Sequence, residues 1–332
     1  MRQKAVLWVV GAAILVGGIL IAGWAEIVET AQMLAWYELL ILLGLQIITI
    51  AGLAYQWGYL FKRSGKSIRY RDIAIVNLAS GFVESVTPSS KLGGEAAKVY
   101  LFHQITNTAY HRLSALLLVQ KFVSLGPLFV ICVVSTLFFV NYADVTVQLE
   151  TNVVLGPILA TIIVLLIGYL LIRFRDRLLV DKEYSIPHID EAQRFLQSSI
   201  RNARSLLTYS EQAWMLSVST GVWALYPFKV YLAAQFLSLE LSLFIAVVGT
   251  FLAYGVSLLP VSPGGLGTFE ATLASVCVIG GLTFSEGMAV ALVTRVATFW
   301  FPLALSAGAT VWLFVSDEQI SPEETRVDSW FQ

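Results

Sequence analysis

Six stretches of this chain are apolar over 20 residues or more: Ala5–Ala25, Trp36–Phe61, His111–Val140, Val153–Ile172, Glu211–Leu237 and Phe284–Val315. About 20 such residues in a helix cross the hydrocarbon layer of a bilayer. Lipid offers no water to the backbone, so runs of this kind must satisfy their own N–H and C=O groups by folding as helices. Of the 332 residues, 57% are hydrophobic and 13% charged, against about 25% charged in a soluble domain. The fold class expected is all-α, a polytopic integral membrane protein. Arg2 and Lys4 precede the first run as in a signal peptide, but a signal core is about 7–15 residues, so the run reads as a retained span.

The net charge of -1 gives no basic signal for nucleic acid. Cys132 and Cys277 both sit in apolar runs and read as packing residues. No His or Cys spacing fits a metal site, and there is no P-loop, dinucleotide fingerprint or nucleophile elbow. Neither a cofactor nor an enzymatic activity is expected.

Lys and Arg set the orientation. Arg2 and Lys4, then Lys62 to Arg71, then Arg173 to Arg204 are basic, whereas Glu26–Glu38 and Asn141–Asn152 carry no Lys or Arg. That alternation predicts a cytoplasmic (plasma) membrane protein with both termini in the cytoplasm. One membrane transport domain is expected over residues 1–315. A cytoplasmic loop at 173–210 and a polar tail at 316–332 complete the chain. Within the loop, Ile189, Ala192, Phe195, Leu196, Ile200, Ala203 and Leu207 recur at helical spacing opposite Asp190, Arg194, Arg201 and Arg204. This is an amphipathic helix, lying on the anionic leaflet or packed as an ordinary connector.

Two segments remain, Ile73–Gln104 and Leu243–Gly281. Each is an apolar stretch interrupted by proline, glycine and a carboxylate: Thr87-Pro-Ser-Ser-Lys-Leu-Gly-Gly-Glu95 and Ser262-Pro-Gly-Gly-Leu-Gly-Thr-Phe-Glu270. Proline removes a backbone donor and glycine weakens a helix, and broken backbone at membrane depth survives only against protein or a wet cavity. Both segments are expected to be re-entrant helical hairpins, giving about six full spans plus two hairpins. The second could equally be two short spans.

The breaks are related by a shift. Pro88 and Pro263, Glu95 and Glu270, and Pro127 and Pro302 are each 175 apart. Trp36–Phe61 maps on Glu211–Phe236 and His111–Val140 on Glu286–Val315. The copies, about 36–140 and 211–315, would be inverted in the membrane, which places a site between the two breaks.

At the first break Thr87, Ser89 and Ser90 supply hydroxyls and Lys91 a cation, and the amides of Gly93 and Gly94 are expected to open a half-helix. Helix N-termini favour anions, and phosphate fits. Ser262, Gly264 and Gly265 are the counterparts at the second break. Glu95 and Glu270 are expected in the first turn of the following half-helix, as caps or as carboxylates facing a cavity. Glu84, Lys121, Lys229 and Arg295 are the other ionisable residues in spans. Lys121 and Arg295 either pair with Glu95 and Glu270 or hold a substrate phosphate.

The run Pro88 to Glu95, together with Leu259-Pro-Val-Ser-Pro-Gly-Gly-Leu-Gly-Thr-Phe-Glu270, resembles the flippase-like family, the lysylphosphatidylglycerol synthase transmembrane-region family. This family includes the membrane half of the multiple peptide resistance factor. The resemblance covers about residues 5–315. It implies a lipid-translocating domain with two re-entrant helices. The soluble domain that aminoacylates lipid in that relative has no counterpart up to Gln332, so that activity does not carry over.

The function expected is a lipid flippase or scramblase for a phospholipid or polyprenyl-phosphate-linked headgroup. Its partners would be membrane lipids, with homo-oligomerisation left open. The rival readings are a proton-coupled transporter of a small anion and an accessory protein of a membrane glycosyltransferase.

Overall fold

Proline, glycine and N3 glutamate decide where the helices begin and end. The computed structural model describes residues 2–86, 90–143, 206–257 and 262–320. Arg2–Ala22 (α1) and Trp24–Ala31 (α2) meet at Gly23, whose φ of 82° turns the chain through 84°. Trp36–Arg63 (α3), Tyr70–Val86 (α4), Ser90–Thr106 (α5) and Tyr110–Ala143 (α6) follow. Tyr209–Phe236 (α7), Leu243–Ser257 (α8), a 3-10 turn at Pro263–Gly265 and Thr268–Ile279 (α9) come next. Phe284–Arg295 (α10) runs through a π turn, Val296–Trp300, into Phe301–Ile320 (α11). No strand occurs among the described residues.

Four helices start in one way. The N3 glutamate reaches back to the N-cap N–H, at Ala35 from Glu38, Thr208 from Glu211, Gly267 from Glu270 and Thr283 from Glu286, over 2.7–2.9 Å. Each satisfies an orphan donor and places negative charge at the positive helix end.

Trp36–Arg63 and Phe284–Leu313 are each long and apolar enough to cross a membrane alone, and the bent pair Gly11–Ala22 with Trp24–Ala31 would make a third. Where the sequence suggested a plain connection after the first run, α2 is a helix. The expected span Val153–Ile172, most of the amphipathic loop helix and the tail beyond Ile320 lie outside the described residues.

α4 packs along α5, and α8 along α9. Glycines let these pairs close. A Cβ on Gly94 would come within 2.8 Å of Glu84 Cβ, and one on Gly249 within 2.8 Å of Leu273. Two cores form, each with members from both halves: Met215 joins the first, and Leu42 the second. In the first, the rings of Trp57, Phe61 and Phe102 pack tilted or edge-on with centroids 4.8–6.0 Å apart. In the second, Phe269, Leu273, Cys277 and Met288 lie at its centre. α4 packs on α11, so the first hairpin meets the second half of the chain.

Polar bonds tie α3, α6 and α7 together. Gln120 donates to Gln56 at 3.2 Å and Gln56 to Ser219 at 3.0 Å. Lys229, fully buried on α7, donates to Gln46 Oε1 and, at 3.2 Å, to Thr49, and its ammonium lies 4.4 Å from the centroid of the Tyr226 ring. No carboxylate pairs with it among the described residues.

Candidate functional site

The second break, with three left-handed glycines, is where the site is built. Gly264, Gly265 and Gly267 have φ of 61°, 67° and 79°, a region that costs other L residues strain. The resulting turn aims the Gly264 carbonyl at α10, where Arg295 Nη2 donates to it at 2.7 Å. Arg295 Nε donates to Glu270 Oε1 at 2.8 Å, and Glu270 Oε2 accepts the Gly267 N–H. The guanidinium lies against the rings of Phe269 and Phe299, 4.8 and 4.4 Å from their centroids. Glu270 therefore caps α9 and pairs with Arg295 at once. Two of the five N–H donors of a guanidinium are engaged, and three have no protein partner among the described residues.

Arg295 lines a cavity of about 320 Å³. Its walls come from both halves: Gly81, Glu84 and Ser85 on α4; Trp223 and Tyr226 on α7; Tyr254 and Ser257 on α8. Ser262, Gly264, Gly265 and Phe269 follow from the break and α9, then Arg295, Thr298, Phe299, Pro302, Leu303 and Ser306. The π turn directly follows Arg295 and contributes Thr298 and Phe299; Phe301 N–H bonds back to Val296 C=O. Pro302 has no N–H for the Thr298 carbonyl, which is a standard cause of such a rearrangement. Glu84 is the acidic residue lining this space, and it makes no hydrogen bond or ion pair among the described residues.

The first-half residues are arranged differently. α5 begins at Ser90, so Gly93 and Gly94 lie inside its first turns rather than opening it, and Glu95 is past the first turn. Glu95 pairs with Lys121 and, at 3.5 Å, with Lys98. This mirrors Glu270 and Arg295, but in a looser setting: the Lys121 side chain is 39% exposed and that of Arg295 5%. Neither Glu95 nor Lys121 lines the cavity. Thr87 and Ser89, and the side chains of Ser90 and Lys91, lie outside the described residues. Ser262 Oγ donates to Leu266 C=O at 2.7 Å and the Gly265 N–H to Ser262 C=O at 3.2 Å, so both close the turn on itself.

Sequence reasoning singled out Arg295, Ser262, Gly264 and Gly265, all of which border the cavity. Glu84 carried a signal, as an ionisable residue in an apolar stretch. The aromatic wall of Trp223, Tyr226, Tyr254, Phe269 and Phe299 carried none, because its members come from separate helices.

Comparison with known proteins matches residues 8–306 to the family described as the lysylphosphatidylglycerol synthase TM region. The chain belongs to that family. The lysylphosphatidylglycerol synthase transmembrane-region family is one of membrane proteins. A relative described as a UPF0104 membrane protein, from Methanothermobacter thermautotrophicus strain Delta H, is 21% identical over 327 residues, covering 93% of this chain and 95% of its own. A second match with the same description and organism is 27% identical over 112 residues, 34% of each chain. With the apolar helices, the family makes this a lipid-related protein of a membrane.

Proposed function

We propose that this protein moves a lipid with a phosphate-bearing headgroup between the leaflets of the cytoplasmic membrane. The carrying observation is the cavity at the second break. It joins α4 of the first hairpin to the second half, is not sealed, and is lined by Arg295, which has three donors without a protein partner among the described residues. Arginine binds phosphate through paired N–H groups, and a water-poor site strengthens that bond. Arg295 is the phosphate contact, and Glu270 and the Gly264 carbonyl hold it in place. At the first break, Thr87, Ser89, Ser90, Lys91, Gly93 and Gly94, with Glu95 and Lys121, form the second binding region.

The topology proposed is about six spans and two re-entrant hairpins in an inverted repeat. α3 and α7 are both 28 residues long and both start from an N3 glutamate. Each half then has two packed helices around a break, and a carboxylate-to-cation pair separated by 121 − 95 = 26 or 295 − 270 = 25 residues. These correspondences support the repeat.

Reconstitution into liposomes with a panel of labelled phospholipids and polyprenyl phosphates tests the function, measured as leaflet exchange against protein-free vesicles. Arg295→Met should abolish exchange that the wild type supports. Wild-type vesicles that exchange no lipid, yet take up a small anion with a proton, would replace this reading with the soluble-anion transporter.

A further inference from the structure

A second hollow lies beside the cavity, of opposite chemistry. It measures about 350 Å³ and is lined by Ile131 of α6, by Ala224, Leu225, Pro227 and Phe228 of α7, and by Leu243, Val247 and Phe251 of α8. No polar side chain contributes. Pro227 and Phe251 are on its buried side, and Ala224, Phe228 and Leu243 are exposed at its rim. The hollow thus opens on the outer surface of the helices.

The wall between the two spaces is aromatic. Trp223 lines the half-polar cavity, and its ring packs on Phe251 of the apolar hollow at 6.2 Å between centroids. Trp223 Nε1–H donates to Ser124 C=O at 2.6 Å, which fixes the ring against α6. Tyr226 and Tyr254 continue the wall, 5.3 and 6.3 Å from Trp223. Pro227 has no N–H to give the Trp223 carbonyl four residues earlier, so that carbonyl lacks its helical donor at the boundary. Trp and Tyr rings with one apolar and one polar side are the chemistry found where headgroup meets hydrocarbon.

From cavity to hollow the order is guanidinium and carboxylate, aromatic wall, then pure hydrocarbon lining. A phospholipid has the same order from phosphate through glycerol to acyl chain. We infer that the hollow between α6, α7 and α8 is the binding site for a hydrocarbon chain of the lipid whose headgroup occupies the neighbouring cavity. This rests on the headgroup reading above and adds to it a discrete chain site. The site would select lipids by their tails as well as their headgroups.

The test uses the full chain in liposomes containing a phospholipid with a photoreactive diazirine midway along one acyl chain. Adducts should concentrate several-fold on 224–228 and 243–251, relative to the more exposed faces at Leu40, Ile47 and Ile48. Ala224→Trp and Val247→Trp, which fill the hollow from its rim, should remove that excess without lowering the melting temperature. They should also slow exchange of a long-chain lipid more than that of a short-chain lipid with the same headgroup. Adducts spread evenly over all exposed faces, or retained in both Trp variants, would overturn the chain site. Arg295→Met separates the two readings: loss of the adducts supports a single bipartite site. Unchanged adducts would leave a hydrocarbon site standing and refute its link to a headgroup in the cavity.

Discussion

Glu270 and Arg295 meet through a 2.8 Å hydrogen bond with both side chains almost wholly buried. The same carboxylate caps the Gly267 N–H. Capping and charge pairing are usually weighed as alternatives for a first-turn glutamate, and here they use its two oxygens separately. The pair fixes Arg295 in the wall of the cavity.

Breaking this pair on one side should be costly. Glu270→Ala leaves a buried guanidinium without its counter-ion, and about 3–5 kcal/mol of stability should be lost. The double variant Glu270→Leu with Arg295→Met should recover most of that loss in thermal unfolding in detergent, yet stay inactive in lipid exchange.

The Glu95–Lys121 pair should behave otherwise. Lys121→Met removes a side chain that is 39% exposed and leaves Lys98 beside Glu95. Its effect on stability should be under about 1 kcal/mol. A melting-temperature drop as large as that of Glu270→Ala would show the two pairs to be energetically alike.

Gly264→Ala combines two faults. Its φ of 61° disfavours a Cβ, and that Cβ would lie 2.4 Å from Phe299. Strain of this kind costs on the order of 1–3 kcal/mol. Adding Phe299→Leu should relieve the contact and return part of the loss, while the backbone strain remains.

Lys229→Met should be neutral or stabilising. The lysine is fully buried with amide, hydroxyl and ring partners, and apolar replacement of a buried charge often raises stability. A fall in melting temperature well beyond that of Gln46→Leu would mean that the ammonium organises α3 against α7.

Single cysteines near Gly65 and Ile105 should label from the cytoplasmic side, and those near Glu240 and Thr283 from the opposite side. Labelling of the first two from opposite faces would remove the first re-entrant hairpin.

Much of the helix framework was legible. The expected hairpins Ile73–Gln104 and Leu243–Gly281 compare with Tyr70–Thr106 and Leu243–Ile279, because proline, glycine and N3 glutamate act locally. Facing was not legible. Glu84 rather than Glu95 borders the cavity because the rotation of α4 is set by its packing on α11, some 230 residues away, which no local pattern records. The pairing of Glu270 with Arg295 was one of two readings that spacing allowed. The 2.8 Å bond from Arg295 to Glu270 shows the pairing, and it leaves other donors of the guanidinium unengaged, so the two readings are not exclusive. The π turn after Arg295 shifts Thr298 and Phe299 off the phase an ideal helix would give.

The seat of α1 on the second break has a consequence for how the chain is assembled. Gly11 lies so close to Ser262 that a Cβ there would come within 2.5 Å, and Gly267 would likewise strike the backbone of α1 at Gly11 and Leu15. The first helix to be synthesised therefore acquires this neighbour only after another 267 − 11 = 256 residues. At ribosomal speed that is roughly 13–50 s. A Cβ on Gly18 of the same helix would meet Met288 at 2.8 Å, so the partners of this glycine face are all supplied by residues beyond 260. A chain ending before Gly267 would hold every residue of the first half yet leave that face without the neighbours it packs on in the finished molecule.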